Sequence, residues 1–407
     1  MTLDKLNHLL DNALAELQTR GTRKGAEHVV TGFKAGEGGF GPRCYLAGYG
    51  DRPFLRMNSN SYLGLSSHPK IIAAEEQAAR LFGAGPGAVR FISGTCASHI
   101  ELENRLARFH DRQAAMIFSA AYAAMMGVLP PLISEETIVL SDALNHNCII
   151  NAMRLARPAR KIIYRHLDMN DFEAQIRTCI GQAERLVVVT DGIFSMRGDH
   201  APLHEITTIC RNYEDSFAQG IITVVDDSHG VGAFGRTGRG VEEHTGARAD
   251  ILVATLGKAF GVNGGYVVSD RAVIDYLRET SPFYVYSNPI TPSEAAAAVQ
   301  AIDLVDEEEG RALLARMRHL TSRLQEGLAA RGREIIAGDH PIVPLMIRDT
   351  GKTAALVRHL FAGNILATGL NYPVVPKGDE EIRFQVSAGH TEQDIDYLLT
   401  VLDGFAG

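Results

Sequence analysis

The segments GIITVVDDSHG (residues 220–230) and DILVATLGKAFG (residues 250–261) carry most of the information on the fold. Each begins with a continuous run of Ile, Val and Leu and ends in polar residues and glycine. A strand that is apolar on both faces is typical of a sheet covered by helices on both sides. The two segments therefore predict neighbouring strands of a mostly parallel sheet, with the polar residues at their carboxyl ends.

Five further apolar runs of the same kind alternate with helical patterns between residues 70 and 270. They are residues 114–120, 137–142, 160–166, 185–192 and 264–270. Seven such runs predict an α/β domain with a mostly parallel seven-stranded sheet. Open sheets of this class bind ligands at the carboxyl ends of their strands, which is where the polar residues stand.

The chain has 407 residues and divides into three parts by its patterning. Residues 1–50 predict an N-terminal helix, over residues 2–20, and a connector. Residues 51–290 predict the large domain. Residues 291–407 predict a smaller C-terminal α+β domain, which begins with one long helical stretch over residues 293–330.

Composition restricts the classes of function. The formal charge of −8 and the pI near 6.0 argue against a nucleic-acid partner, which needs a basic face. The five cysteines form no CxxC pair, so we expect neither a metal site nor a disulfide framework. No run approaches a membrane span and the amphipathic start lacks a signal-peptide core, so we expect a cytoplasmic protein without a membrane partner.

Four polar groupings follow successive predicted strands. They are Asp226 with His229, Thr255 with Lys258, His146, and Ser195. Taken singly, each has an ordinary structural interpretation: a lysine after a strand is usually a surface residue, and an aspartate there is usually a cap or a turn residue. Only the combination of these residues indicates a specific chemistry.

Together these residues meet the needs of pyridoxal phosphate. A lysine, Lys258, would hold the cofactor as an imine, and a carboxylate, Asp226, would keep the ring nitrogen protonated so that the ring accepts electrons. His146 offers a flat partner for the ring. Thr255 offers a hydroxyl for the phosphate. We therefore predict a pyridoxal-phosphate site at the carboxyl edge of the sheet.

An ordered set of motifs adds a family resemblance. SNSYLGL, VRFISGT, SDALNH, DGIFSMRGD, VVDDSHGVG, GRGVEEH and TLGKAFG follow one another along the chain. In this order they resemble the motifs of the α-oxoamine synthases, which are fold-type I pyridoxal-phosphate enzymes. The resemblance runs from about residue 50 to the C-terminus and implies an aminotransferase-like fold.

The resemblance implies roles for residues around the cofactor ring. Lys258 would hold the cofactor and then act as the base that removes the Cα proton of the amino acid. Asp226 would pair with the ring nitrogen, and His229 would hydrogen-bond the phenolic oxygen. His146 would stack on the ring, so that Lys258, His229 and His146 form the catalytic set. Ser195 would lie beside the cofactor oxygen or the substrate carboxylate.

The resemblance also implies how the phosphate is bound. Backbone N–H groups at Ala121 and Tyr122 would donate to it, at the positive end of the following helix. Many relatives have Phe at the position of Tyr122. Ser287, in YSNP, corresponds to a phosphate contact given by the second subunit, which implies a homodimer with a shared active site.

The amino-acid substrate would be held by a residue of the C-terminal domain. By the family pattern its carboxylate would meet Arg383 in EIRFQVSA, since a guanidinium fork suits a carboxylate. Asn60 would lie near the same carboxylate. The neighbouring Ser61 departs from the Asp or Asn usual in relatives.

The reaction implied is the condensation of an amino acid with an acyl-CoA thioester, or with an acyl carrier thioester. SDALNHNCII and AGDHPIVPLMIRD are most like the glycine C-acetyltransferase branch, which favours glycine and acetyl-CoA. KAFGVNGGYV and YVYSNP are more like the 8-amino-7-oxononanoate synthase branch. Alternatives are therefore a decarboxylating synthase of that branch, or of the serine palmitoyltransferase type, that uses alanine or serine with a longer acyl chain.

Two other classes of function compete with the acyltransferase. A fold-type I enzyme of different chemistry, such as an aldolase or aminotransferase, is disfavoured by VRFISGT and the GRG loop. A non-catalytic paralogue is disfavoured by the intact Lys258. A dinucleotide site is also disfavoured, because GVGAFG (230–235) is followed by RTGRG and no helix pattern that could cap a pyrophosphate.

Overall fold

The computed structural model describes residues 3–20, 22–23, 25–372 and 374–405. Its helices are α1 (Leu3–Thr19), α2 (Pro69–Phe82), α3 (Ala97–Phe109), α4 (Ala121–Leu132), α5 (Asn147–Ala156), α6 (Met169–Cys179), α7 (Leu203–Tyr213), α8 (Val241–Thr245), α9 (Arg271–Thr280), α10 (Pro282–Val285), α11 (Pro292–Asp306), α12 (Glu308–Ala329), α13 (Thr350–Ala362) and α14 (Glu392–Asp403).

Seven of the described strands, those between residues 114 and 269, follow the predicted runs closely. The described strands are β1 (Val30–Lys34), β2 (Arg43–Leu46), β3 (Leu55–Arg56), β4 (Ala114–Phe118), β5 (Thr137–Asp142), β6 (Arg160–Tyr164), β7 (Arg185–Asp191), β8 (Ile221–Asp226), β9 (Ile251–Thr255), β10 (Gly265–Ser269), β11 (Ile342–Met346), β12 (Ile365–Leu366), β13 (Thr368–Leu370) and β14 (Glu381–Gln385).

The large domain is built on a seven-stranded sheet with the order β4-β10-β9-β8-β7-β5-β6. Strand β10 runs antiparallel to both of its neighbours, and the pairs from β9 to β6 are parallel. The mostly parallel sheet and the smaller C-terminal domain predicted from the sequence are confirmed. Because β5, β7, β8 and β9 point the same way, their carboxyl ends meet at one edge.

Both faces of this sheet are buried, as continuous apolar runs require. Val225 and Leu252 pack into one core cluster. Val224 and Val253, one position away on the same strands, pack into a second cluster on the other face. The hydrophobic cores therefore fix the strands in place and leave only their carboxyl ends open to polar chemistry.

The predicted single helix over residues 293–330 is wrong in one respect: it is two helices. Glu307 adopts an extended backbone (φ −81°, ψ 174°) between α11 and α12. Helix α11 packs against α2 and α3 of the large domain, whereas α12 packs against β11 and α14. Leu314 and Met317 of α12 still pack in the cluster that holds α11, and the later part of α12 packs in the core of the small domain. The break thus redirects the chain from one core to the next, which a helical periodicity does not reveal.

The small domain holds a three-stranded antiparallel sheet, β11-β14-β13. Strand β12 pairs in parallel with β3, so residues 55–56 from near the N-terminus join this part of the molecule. Leu55 and Met57 share a core cluster with Phe384 and Leu398. This packing brings the segment SNSYLGL, which follows β3, beside β14.

Within the described ranges, no helix is long and apolar enough to cross a membrane. The same part of the chain contains no group of three or more His, Cys, Asp or Glu side chains that could hold a metal ion.

Candidate active site

Two carboxylates stand side by side where β7 and β8 end. Asp191 and Asp226 are paired in the strand register, and both are buried. Asp226 Oδ1 accepts a hydrogen bond from the Ser228 N–H at 3.1 Å. Burial, followed by the charge of Asp226, raises the pKa of Asp191 well above its usual value. Asp226 is therefore a buried acceptor at the carboxyl edge, as the sequence predicts.

Lys258 lies on the tight loop after β9, within the electrostatic reach of that carboxylate. Burial lowers the pKa of Lys258 to about 8, although the charges of Asp226 and Asp191 oppose the shift. The loop is shaped by Thr255, whose hydroxyl donates to the Gly264 carbonyl at 3.1 Å and accepts from the Gly257 N–H at 3.1 Å. A substantial neutral fraction near pH 8 makes Lys258 a usable nucleophile and base.

His146 is the N-cap residue of α5, and its ring is exposed to the same edge. The ring Nδ1 accepts a hydrogen bond from the Cys148 backbone N–H at 3.2 Å. The backbone N–H of His146 donates to Asp191 Oδ2 at 3.0 Å. Asn145 secures the approach with a bond to the Val189 carbonyl at 2.8 Å. The ring is thus held at one side while its face stays free for a flat partner.

His229 is buried and held by Tyr62 and by His340 of the small domain. Its Nδ1 lies 2.7 Å from the hydroxyl of Tyr62. The Nε2–H of His340 donates to the His229 carbonyl at 2.9 Å. Burial, with a contribution from the charge of Lys258, lowers the pKa of His229 well below its usual value. The ring is therefore neutral, with Nε2 left to meet a ligand.

The N-terminus of α4 is close to the sheet edge. Ala121 and Tyr122 are its first two residues, so their N–H groups have no acceptor within the helix. A Cβ on Gly265 would come within 2.1 Å of Ala121 N, so only glycine allows this approach of α4 to β10. The Tyr122 hydroxyl donates to Asn147 Oδ1 at 3.0 Å. The expected anion site at Ala121 and Tyr122 stays a prediction, and Gly265 is a residue near it that the motifs did not indicate.

Arg383 and Ser195 meet across the domain boundary. Arg383, on β14, donates to Ser195 Oγ at 3.0 Å and also to the Ser195 carbonyl. Its Nε is buried with no hydrogen-bond partner among the described residues. Burial lowers the pKa of Arg383, opposed by the nearby Tyr62 and Glu381. The guanidinium is therefore anchored at one corner and has capacity for a further acceptor.

Asn60 lies beside β14 and contacts Gln385, which shares a strand face with Arg383. Gln385 Nε2 donates to Asn60 Oδ1 at 2.5 Å, and the Tyr62 hydroxyl lies 3.3 Å from the same oxygen. Asn60 thus connects Arg383's strand to the Tyr62–His229 pair. The departure at Ser61 leaves the loop ordered, because its carbonyl accepts from Ser387 Oγ at 2.8 Å.

Ser287 stands apart from the other predicted residues. Its hydroxyl donates to the Asn288 carbonyl at 3.5 Å, and no hydrogen bond within the described ranges joins it to Lys258, Asp226 or Arg383. It follows α10, which packs against α4. The assignment of Ser287 to the partner's site stays a prediction, as do the roles of the residues above.

Besides Gly265 and Asp191, three further residues near the site were not predicted from the sequence. Tyr62 reaches His229, Cys148 reaches both His146 and Asp226, and Glu381 shares a strand face with Arg383. A period of two along EIRFQ could have placed Glu381 beside Arg383. The other two contacts depend on how separate segments pack, and the motifs carry no signal for them.

Comparison with known proteins agrees with this geometry. A family model described as aminotransferase class I and II matches residues 52–402. The chain is 39% identical over 398 residues to the mitochondrial 2-amino-3-ketobutyrate coenzyme A ligase of Bos taurus, which covers 97% of this chain and 90% of that protein. It is 37% identical over 347 residues to the 8-amino-7-oxononanoate synthase of Thermosipho melanesiensis, with 85% and 86% covered.

Solved structures give the same result. Serine palmitoyltransferase from Sphingomonas wittichii superposes with a TM-score of 0.87 at 27% identity, over 98% of this chain and 97% of that chain. A variant of the S. paucimobilis enzyme, solved with a bound pyridoxal phosphate–myriocin aldimine, superposes with a TM-score of 0.86 at 26% identity, over 98% and 96%. The chain therefore belongs to the class I and II aminotransferase family and, within it, to the α-oxoamine synthases, which are acyltransferases that use pyridoxal phosphate.

Proposed function

We propose that this protein joins glycine to acetyl-CoA and releases CoA, with pyridoxal phosphate bound at Lys258. The observation that carries the cofactor assignment is the cluster of Lys258, Asp226 and His146 at one sheet edge. In this cluster the buried carboxylate of Asp226 lies near the amine of Lys258, and burial lowers the pKa of that amine to about 8. The relatives support the class of reaction, and the acyl and amino-acid partners are our own assignment.

The residues present suit pyridoxal phosphate. Asp226 would hold the proton of the ring nitrogen, and the exposed face of His146 would lie on the ring. His229 would donate to the phenolic oxygen. The first N–H groups of α4, at Ala121 and Tyr122, would bind the phosphate at the positive end of the helix dipole. We assign Thr255 to the same phosphate, although its hydroxyl already donates to Gly264.

Arg383 and Lys258 would divide the work on the amino acid. Pyridoxal phosphate, when bound, withdraws electrons from the Cα of the amino acid and so makes its proton acidic. Arg383, braced by Ser195 and close to Asn60, would bind the carboxylate. Lys258 Nζ would take the Cα proton, and the carbon would then bond to the acyl carbonyl as the C–S bond breaks and CoA leaves.

The preference for glycine and acetyl-CoA rests on the extent of the similarity. The 2-amino-3-ketobutyrate coenzyme A ligase of Bos taurus matches 97% of this chain, against 85% for the Thermosipho synthase. A decarboxylating synthase that uses alanine or serine with a longer acyl-CoA or acyl carrier thioester is the second candidate. It is favoured by the 0.87 TM-score to serine palmitoyltransferase.

We also propose a homodimer in which Ser287 completes the partner's phosphate site. An apolar patch supports this: Phe91, Ile92 and Tyr286 are 67%, 67% and 81% exposed. The segment that carries Phe91 and Ile92 packs against α10, so the patch lies next to Ser287. Large exposed apolar groups that cluster in this way mark interaction surfaces. A cytoplasmic location likewise stays a prediction.

The test is a thiol-release assay over a matrix of amino acids and acyl thioesters. We expect the highest kcat/KM for glycine with acetyl-CoA, and a product that keeps its carboxylate. Release of CO₂ with alanine or serine and a longer acyl donor would replace the first candidate by the second. Absence of thiol release with every pair, in cofactor-loaded protein, would contradict the acyltransferase itself.

A further inference from the structure

Cys148 contacts both side chains that face the predicted cofactor ring. Its Sγ lies 3.0 Å from His146 Nδ1 and 3.4 Å from Asp226 Oδ2. The residue is buried, and its backbone N–H donates to the same His146 nitrogen at 3.2 Å. One small side chain thus connects the ring-stacking group to the carboxylate of the ring nitrogen.

The direction of the thiol hydrogen follows from the lone pairs. Although His146 is exposed overall, the partial desolvation of its ring by the surrounding site lowers its pKa. The ring is then neutral and Nδ1 has one lone pair, which the backbone N–H of Cys148 occupies. Burial, followed by the charges of Asp226 and Asp191, raises the pKa of the Cys148 thiol far above its usual value. The hydrogen therefore stays on sulfur and is available to Asp226 Oδ2.

We propose that Cys148 is a positioning residue that fixes the Asp226 carboxylate for the ring nitrogen of pyridoxal phosphate. The inference rests on the proposed function, which places that nitrogen at Asp226. Oδ1 accepts from the Ser228 N–H at 3.1 Å and Oδ2 accepts from the thiol, so rotation of the carboxylate breaks one of the two bonds. Held from both sides, the carboxylate presents its remaining lone pairs in one orientation.

Other cysteines of the chain provide a matched comparison. Cys210 is equally a buried thiol, on α7, but it packs in the hydrophobic cluster on Ile206 and Phe217. Deleting its sulfur removes a similar buried volume without touching Asp226 or His146. Cys210→Ala therefore separates the loss of packing from the loss of the hydrogen bond.

The first measurement is the affinity for pyridoxal phosphate, by equilibrium dialysis of wild-type, Cys148→Ala, Cys148→Ser and Cys210→Ala proteins. We expect Cys148→Ala to weaken binding about fivefold, the equivalent of one net hydrogen bond. Cys148→Ser keeps a donor and should stay within about twofold of wild type, as should Cys210→Ala. The serine variant keeps the inference testable if the alanine variant does not fold.

The second measurement is the ¹⁵N resonance of ring-labelled cofactor in the holoenzymes, which reports protonation of the ring nitrogen. We expect the serine variant to match wild type and the alanine variant to shift towards the unprotonated value. A purely structural role would change the melting temperature and leave this resonance in place.

Two results would overturn the inference: unchanged affinity and resonance in Cys148→Ala, or equal damage from alanine and serine. Wild-type protein that binds no pyridoxal phosphate would instead contradict the proposed function. The two failures are thereby distinguished.

Discussion

Asn145 in the large domain and one face of β14 in the small domain differ in how completely their polar atoms are paired. At the sheet edge of the large domain, Asn145 bonds to Ser141, Val189 and Asp191, each at 2.8 Å. On β14 of the small domain, every polar side chain of one face has a buried atom without a partner among the described residues. These atoms are Glu381 Oε1, Arg383 Nε and Gln385 Oε1.

The difference indicates which polar side chains are held in place before a ligand binds. A satisfied polar network fixes geometry, so Asn145 holds its part of the cofactor half in place, although Asp227 Oδ1 and Ser228 Oγ on the same edge lack a partner among the described residues. Unpaired buried groups cost free energy, which a ligand with matching polar atoms recovers. The cofactor half should therefore respond to mutation with loss of chemistry, and the substrate half with loss of affinity or with changes in stability.

The largest effect is expected at Lys258. Lys258→Ala removes both the attachment point and the base, so turnover should fall by at least about 10⁴-fold in the thiol-release assay. The visible absorbance of the bound cofactor should disappear at the same time. Lys352→Ala, on the exposed face of α13, is the control and should leave both unchanged. Substantial turnover in Lys258→Ala would remove Lys258 from its role.

A smaller and different effect is expected at Arg383. Arg383→Ala should raise the KM for the amino acid about 100-fold, as for a lost charge-assisted bond, and leave pyridoxal phosphate bound. Arg383→Lys should recover part of the loss, since it keeps the charge but not the fork. Steady-state kinetics give KM, and the absorbance of the cofactor reports its retention.

The exposed Arg358→Ala, on α13, serves as the control for Arg383. An unchanged amino-acid KM in Arg383→Ala would count against the carboxylate assignment. Loss of the cofactor from that variant would instead erase the contrast between the two halves.

The smallest effect concerns stability at Glu381. Burial raises the pKa of Glu381 to about 8, against 4.5 ordinarily. Below pH 4.5 the carboxyl is protonated in both the folded and the unfolded state, and the protein keeps its full free energy of unfolding. As the pH rises from 4.5 through 8, the unfolded state ionises more readily than the folded state, and the free energy of unfolding falls. Glu381→Gln should therefore raise the melting temperature by about 3 °C at pH 9 and leave it unchanged near pH 4.5.

Thermal melts across pH measure this difference, with the exposed Glu75→Gln as the control. A gain that is equal at both pH values would mean that Glu381 does not titrate in this range.

Most of the large domain could be predicted from the sequence. The seven apolar runs became the seven strands, since a run buried on both faces has few alternatives to a covered sheet. The residues after those runs, such as Asp226 and Lys258, share one edge because parallel strands end together. The small domain was less predictable: the apolar residues of EIIAG (334–338) form no strand but an isolated bridge between Ile335 and Leu345.

The sequence by itself determined the sheet, its carboxyl edge and the residue types that stand there, because hydrophobic periodicity and strand ends are local properties. Only the tertiary structure decided what those residues touch. Tyr62 against His229, Arg383 against Ser195 and the thiol against Asp226 join segments that are 78 to 188 residues apart. Such contacts arise from the packing of segments that are distant in the sequence, within the large domain or, for Arg383 and Ser195, between the two domains, and no local pattern encodes that packing.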